Sequence, residues 1–245
     1  MKRSISCLVM AMFAWSVQAA ETGTIAEVYG CTYREGKSLD DLNAAAAQWL
    51  KEFDKVEAGK NYFAAILTPV RSNSPYDAVW IGSNPNLNDW AKSEEAANGS
   101  AALQTSQAGF DAVADCSSGL YWSATLLNEL PVENDDNDSV IEVYACTTSN
   151  GKTAADVEAA EKLVVDASKG LKFATYRLTP WLANTPFDRI YLNVSDDLGA
   201  FAANNSTYLT SAAGANADAA VYASQSCESG LWHGHLIRRP AAAAQ

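Results

Sequence analysis

The sequence predicts an α+β protein made of two diverged copies of one unit behind an export signal. Three observations carry this reading. Short matches repeat along the chain at fixed offsets, β-rich runs alternate with helical stretches in each copy, and the cysteine count becomes even once the N-terminal segment is set aside.

The repeat emerges when the chain is laid on itself. Glu27-Val28-Tyr29-Gly30-Cys31-Thr32 recurs as Glu142-Val143-Tyr144-Ala145-Cys146-Thr147, and Gly36-Lys37 recurs as Gly151-Lys152, at an offset of 115. Later matches sit at an offset of 111: Leu67-Thr68-Pro69 with Leu178-Thr179-Pro180, Pro75-Tyr76-Asp77 with Pro186-Phe187-Asp188, and Cys116–Leu120 with Cys227–Leu231. The offsets differ by about one helical turn, and the change is expected inside a helix. The copies span residues 20–127 and 140–240, with a tail over 241–245.

Residues 1–19 have the three parts of a secretory signal: Lys2 and Arg3, the apolar run Cys7–Trp15, and small residues at Val17 and Ala19. The run is too short to span a bilayer, and no membrane insertion is expected. An exported chain, periplasmic or secreted, follows. Loss of Lys2 and Arg3 takes the formal charge from −12 to −14. An acidic chain without a basic cluster does not suit nucleic acid, since phosphate neutralisation needs grouped Lys and Arg. The linker 128–139 holds Pro131 and Asp135-Asp136-Asn137-Asp138. It lacks the glycine and closing Glu of a calcium loop and reads as a solvated connection.

Cys31, Cys116, Cys146 and Cys227 remain in the mature chain. In an exported protein they imply two disulfides, with three connectivities open. No zinc spacing occurs, so no metal is expected, and no motif calls for a cofactor.

Each copy opens with a β-rich run, Ala26–Thr32 or Ile141–Thr147. A helix follows, capped by Ser38 or Thr153 with Asp three residues on. Leu42, Ala45, Ala46, Leu50 and Phe53 form its apolar stripe in the first copy. Two strands come next, Tyr62–Thr68 and Tyr76–Gly82, matched by Phe173–Thr179 and Phe187–Asn193. A second helix begins near Leu87 and Leu198, and the Ala/Ser/Asn-rich stretch after it has no readable pattern. The last strands run over about Gly119–Leu127 and Gly230–Arg238.

This β-α-β-β-α-β order resembles the ferredoxin-like arrangement, in which the first and last strands are antiparallel neighbours. That resemblance implies Cys31–Cys116 and Cys146–Cys227, each closing a long loop worth on the order of 4 kcal/mol. Two tandem ferredoxin-like repeats, packed as an intramolecular pseudo-dimer, resemble the dimeric α+β barrel superfamily. There, two such sheets pack face to face. The group includes cofactor-free monooxygenases, heme-degrading enzymes, small lyases and proteins without known catalysis, so it implies little about chemistry.

Strand alternation sorts the side chains. Val28, Val79, Ile81, Val143, Ile190 and Leu192 are expected to meet the helices. The opposite face, expected between the sheets, collects Trp80 and Trp122 from the first copy. The second copy adds Glu142, Tyr144, Arg189, Tyr191, His233 and His235. With Cys146 opposite Cys227, Glu142 falls across from Leu231 and diagonal to His233. Glu142 and His233 are the candidate catalytic pair, a carboxylate that tunes an imidazole. Tyr144, Arg189, Tyr191, His235, Trp80 and Trp122 are the candidate ligand-binding set. A metal on His233 and His235 lacks a visible carboxylate partner. Glu27 keeps the Glu142 position although Trp122 replaces His233, which favours a structural carboxylate. Ser118-Gly119 and Ser229-Gly230 lack the context of a nucleophile elbow, and Gly36-Lys37 is not a phosphate loop. Three readings stay open: a small, partly apolar ligand bound between the sheets; a cofactor-independent oxygenase, lyase or isomerase using Glu142 and His233; and a non-catalytic structural or interaction module. The oligomeric state is unreadable, because the repeats can pair within one chain.

Overall fold

The computed structural model describes residues 24–130 and 137–240. The signal, linker residues 131–136 and the tail 241–245 lie outside the described residues.

The first half runs β1 (Thr24–Tyr33), α1 (Leu39–Phe53), β2 (Phe63–Arg71), β3 (Ala78–Asn84), α2 (Leu87–Gly99), α3 (Ala101–Asp111) and β4 (Ala114–Asn128). The second half runs β5 (Asp138–Thr148), α4 (Ala154–Ser168), β6 (Ala174–Leu182), β7 (Arg189–Ser195), α5 (Leu198–Thr210), α6 (Ala212–Ser224) and β8 (Gln225–Arg238). Both predicted caps form. The Asp41 carboxylate accepts from the Ser38 amide at 3.0 Å, and Asp156 accepts from the Thr153 amide at 2.8 Å.

Two expectations need correction. The unreadable Ala/Ser/Asn-rich stretches are helices, α3 and α6, capped by Ser100 and Ser211. The four-residue change in offset falls after α1, not inside it. Both α1 and α4 have 15 residues, and the extra length is taken up by a 3-10 turn at Glu57–Asn61.

The eight strands close into one antiparallel barrel in the order β1-β3-β2-β8-β5-β7-β6-β4. Within each half the first and last strands pair, with Cys31 opposite Cys116 and Cys146 opposite Cys227. Both expected disulfides form there. The halves join through β2–β8 and β4–β6, so the two sheets are sides of one barrel. Among the described residues, no helix is long and apolar enough to cross a membrane.

The predicted faces are reversed. Val28, Val79, Ile81, Val143, Ile190 and Leu192 point into the barrel, where they pack with Leu67, Tyr121, Leu178 and Trp232. Eight strands leave an interior just wide enough for side chains to fill. Tyr29, Cys31, Tyr62 and Trp80 point outward and pack beneath α1 and α3, against Leu42, Phe53 and Leu103. The space between the sheets is therefore core. Glu142 and His233, expected there, lie on the outward face instead.

Candidate functional site

The outward face has different cover in the two halves. Under α1, Trp49 stacks on Phe53 at 4.3 Å, and Phe53 meets Tyr62 edge-on at 5.2 Å. Trp80 meets Phe110 at 5.5 Å. In the second half the sequence offsets place Val164 for Trp49, Ser168 for Phe53, Phe173 for Tyr62, Tyr191 for Trp80 and Val221 for Phe110. All five replacements are smaller, and three of them lack a ring. A cavity of about 270 Å³ results, between the outer face of the sheet and α4, α5 and α6.

Glu142, Tyr144 and Tyr191 line this cavity, as do Phe173, Phe201, Tyr208 and Asp218. Ser168 lines it too, 1% exposed, and its hydroxyl has no hydrogen-bond partner among the described residues. A buried polar atom left without a partner is uncommon and needs a reason. Leu209 and Tyr222, 62% and 80% exposed, belong to the same lining and give the rim an apolar character. A groove of similar volume, about 280 Å³, lies between α1 and α3. Its lining, which includes Ala45, Gln48, Ala102 and Gly109, contains no aromatic residue.

Glu142 enters from β5. Burial pushes its carboxyl up, hydrogen bonds from Tyr144 and Asn193 pull the other way, and nearby Asp218 raises it further. Burial also raises the Tyr144 phenol, helped by the charge of Glu142. Tyr208 donates to Asp218 at 3.0 Å. On the α4 side, Glu161 accepts from Arg177 at 2.7 Å, from Arg189 at 2.8 Å and from the Tyr191 hydroxyl at 2.6 Å. This ion cluster closes one side of the cavity.

The predicted site residues thus separate. Glu142, Tyr144 and Tyr191 come together, with Arg189 joined to them through Glu161. Trp80 is 7% exposed in the first half's core, and Trp122 packs on Trp181 at 5.3 Å on the outer surface. His233 and His235 share the outward face but line no part of the cavity. His235 Nδ1 lies 2.7 Å from Asp138 Oδ1, and His233 Nε2 lies 3.7 Å from the same oxygen. Asp138 is the carboxylate partner that sequence reading missed. Even so, no group of three or more His, Cys, Asp or Glu among the described residues is arranged to hold a metal. Sequence reading also missed Glu161, Ser168 and Asp218. The readable signal for two of them was the helix alignment, in which Ala46 becomes Glu161 and Phe53 becomes Ser168.

A closed antiparallel barrel jacketed by helices resembles the dimeric α+β barrel superfamily, and the solved structures it is similar to agree. A proposed monooxygenase from Fusobacterium nucleatum aligns with a TM-score of 0.59 at 10% identity, over 89% of this chain and 94% of that one. A second, from Lactobacillus acidophilus, gives 0.55 at 11% identity, over 89% and 97%. A heme-binding protein from Thermus thermophilus gives 0.52 at 10% identity, over 88% and 92%. At such identity the likeness is one of fold. No protein-family model matches the chain, and no curated protein matches it in sequence.

Proposed function

We propose that this is an exported protein that binds a small, partly apolar molecule in the cavity beneath α4, α5 and α6. The observation that carries the reading is the hollowing of the second half at positions where the first half is filled with aromatic rings. Concave, largely apolar space with a few converging polar groups is the usual form of a small-molecule site. The unpartnered Ser168 hydroxyl and the apolar rim at Leu209 and Tyr222 support it. The two cystines suit an oxidising compartment outside the cytoplasm. The shared element order and ordered matches support descent of the halves from one doubled unit.

Heme, which one similar structure binds, does not suit this cavity. Both histidines lie with Asp138, and Cys146 and Cys227 are tied as cystine. Burial raises the Tyr144 and Tyr208 phenols, which opposes the phenolate an iron ligand requires. The charged lining, Glu142, Glu161 and Asp218, has the wrong sign for propionates.

The test transplants the first half's filling. Val164→Trp with Ser168→Phe should abolish calorimetric binding of 1-naphthalenemethanol, a compact neutral aromatic, while circular dichroism stays native. Undiminished binding by a natively folded double variant would place the ligand elsewhere and reject the reading.

A further inference from the structure

The charge on the cavity wall is one-sided. Its charged lining residues are Glu142, Glu161 and Asp218, without Lys, Arg or His. Glu161 is already answered by Arg177 and Arg189. Glu142 of β5 and Asp218 of α6 are left, close enough for the charge of one to raise the other's carboxyl. The donors they have, Tyr144, Asn193 and Tyr208, are all neutral.

The first half surrounds the carboxylate equivalent to Glu142 with different donors. Its counterpart Glu27 accepts from the Trp90 indole at 2.9 Å and from the Tyr62 hydroxyl at 3.2 Å. At the offset of 111 those two donors become Phe201 and Phe173, which have no N–H or O–H to give. Both rings line the cavity beside Glu142. Two carboxyls facing a partly enclosed space without a cation take up a proton or accept a positive group. Phe201, Tyr144 and Tyr208 add aromatic rings to the lining, and the face of such a ring attracts ammonium ions.

We infer that the ligand class of this cavity is a small apolar amine, whose ammonium seats between Glu142 and Asp218 and whose hydrocarbon body lies against Phe173, Val164 and Phe201. The inference rests on the reading of the cavity as a ligand site. An acid of the same shape would bring a third negative charge to the pair, a mismatch that selects against it.

The experiment is calorimetric titration of the mature protein at neutral pH with three compounds of one shape: 1-naphthylmethylamine, 1-naphthalenemethanol and 1-naphthoic acid. The amine should bind at least ~10-fold more tightly than the acid, with the alcohol between them. In the Glu142→Gln, Asp218→Asn double variant the ratio of amine to acid affinity should fall to within about twofold of unity. Acid binding equal to or tighter than the amine's overturns the inference, as does a ratio unchanged in the double variant. The wild-type series stands without the variant if the variant fails to fold. If none of the three compounds binds, the cavity reading fails first and this inference with it. If the alcohol binds and the amine gains nothing over it, the ligand-class inference alone fails.

Discussion

Beneath α1 the chain places Ala46, Trp49 and Phe53, and beneath α4 it places Glu161, Val164 and Ser168, on sheets of the same strand order. The strand positions change in step. Ile66, Ala78 and Gly82 of the first half become Arg177, Arg189 and Asn193 of the second. Gly82 shows how closely the first half is packed, because a Cβ there would lie 1.8 Å from the Tyr62 hydroxyl oxygen. Asn193 can occupy the same place because Phe173 has no hydroxyl, and it accepts instead from Thr175 at 2.9 Å. One half thus uses aromatic packing as a foundation, and the other uses an ion cluster around open space. Under the proposed function, stability and binding are divided between the halves.

The largest effects should come from breaking each foundation. Phe53→Ala should cost about 3–5 kcal/mol in chemical denaturation, the usual loss for a large buried ring. Glu161→Ala should cost about 3–5 kcal/mol, because two guanidiniums lose their buried carboxylate. Copying the first half, with Glu161→Ala, Arg177→Ile and Arg189→Ala together, should recover at least half of that loss. If the triple variant is no more stable than Glu161→Ala alone, the cluster is not an alternative to apolar packing and the comparison fails.

A smaller effect comes from pH. Glu27 is pushed up to about 7, chiefly by burial, against its hydrogen bond from Trp90 and with Glu94 raising it further. Tyr62 donates to it as well, and Tyr29 stands in the same electrostatic group. The folded state thus holds the Glu27 proton more tightly than the unfolded chain. Its contribution is complete below the unfolded value of 4.5 and is lost as pH rises through about 7. The loss is on the order of 2–3 kcal/mol between pH 5 and 8. Glu142 shifts in the same direction. Glu27→Gln should flatten the first half's share of that slope, and an unchanged slope in the variant would show that Glu27 titrates normally.

Much of the fold was legible, for identifiable reasons. The Cys31–Cys116 and Cys146–Cys227 pairs fixed one register per half, and Glu142 does lie opposite Leu231. The faces were not legible, because large apolar residues stand on both sides of these strands. Val28 alternates with Tyr29, and Ile81 with Trp80, so period-two reading finds two buried faces and cannot say which is inside. The deciding clue was size. Aliphatic residues such as Val and Ile make up much of the narrow barrel interior, and most of the aromatic residues lie under the helices. α6 was missed because an Ala-rich helix whose contact residues are Gly214 and Ala217 carries no apolar stripe, and α3 was missed because it offers only Leu103 and Phe110, seven residues apart. The cavity could be seen only by treating each mismatch between the halves as a change in volume.

The smallest prediction tests that volume argument at one atom. Ser168 stands where Phe53 does in the first half, and its hydroxyl is buried without a protein partner. If the cavity wall is apolar around it, Ser168→Ala removes an unsatisfied group and should stabilise the fold by up to ~1 kcal/mol. If water fills the space and bonds the hydroxyl, the same change should be neutral or destabilising. Denaturation midpoints of the two proteins, taken with and without saturating 1-naphthalenemethanol, separate these cases. A gain seen only in the free protein would mean that the ligand itself supplies the missing partner, which makes Ser168 a contact of the bound state.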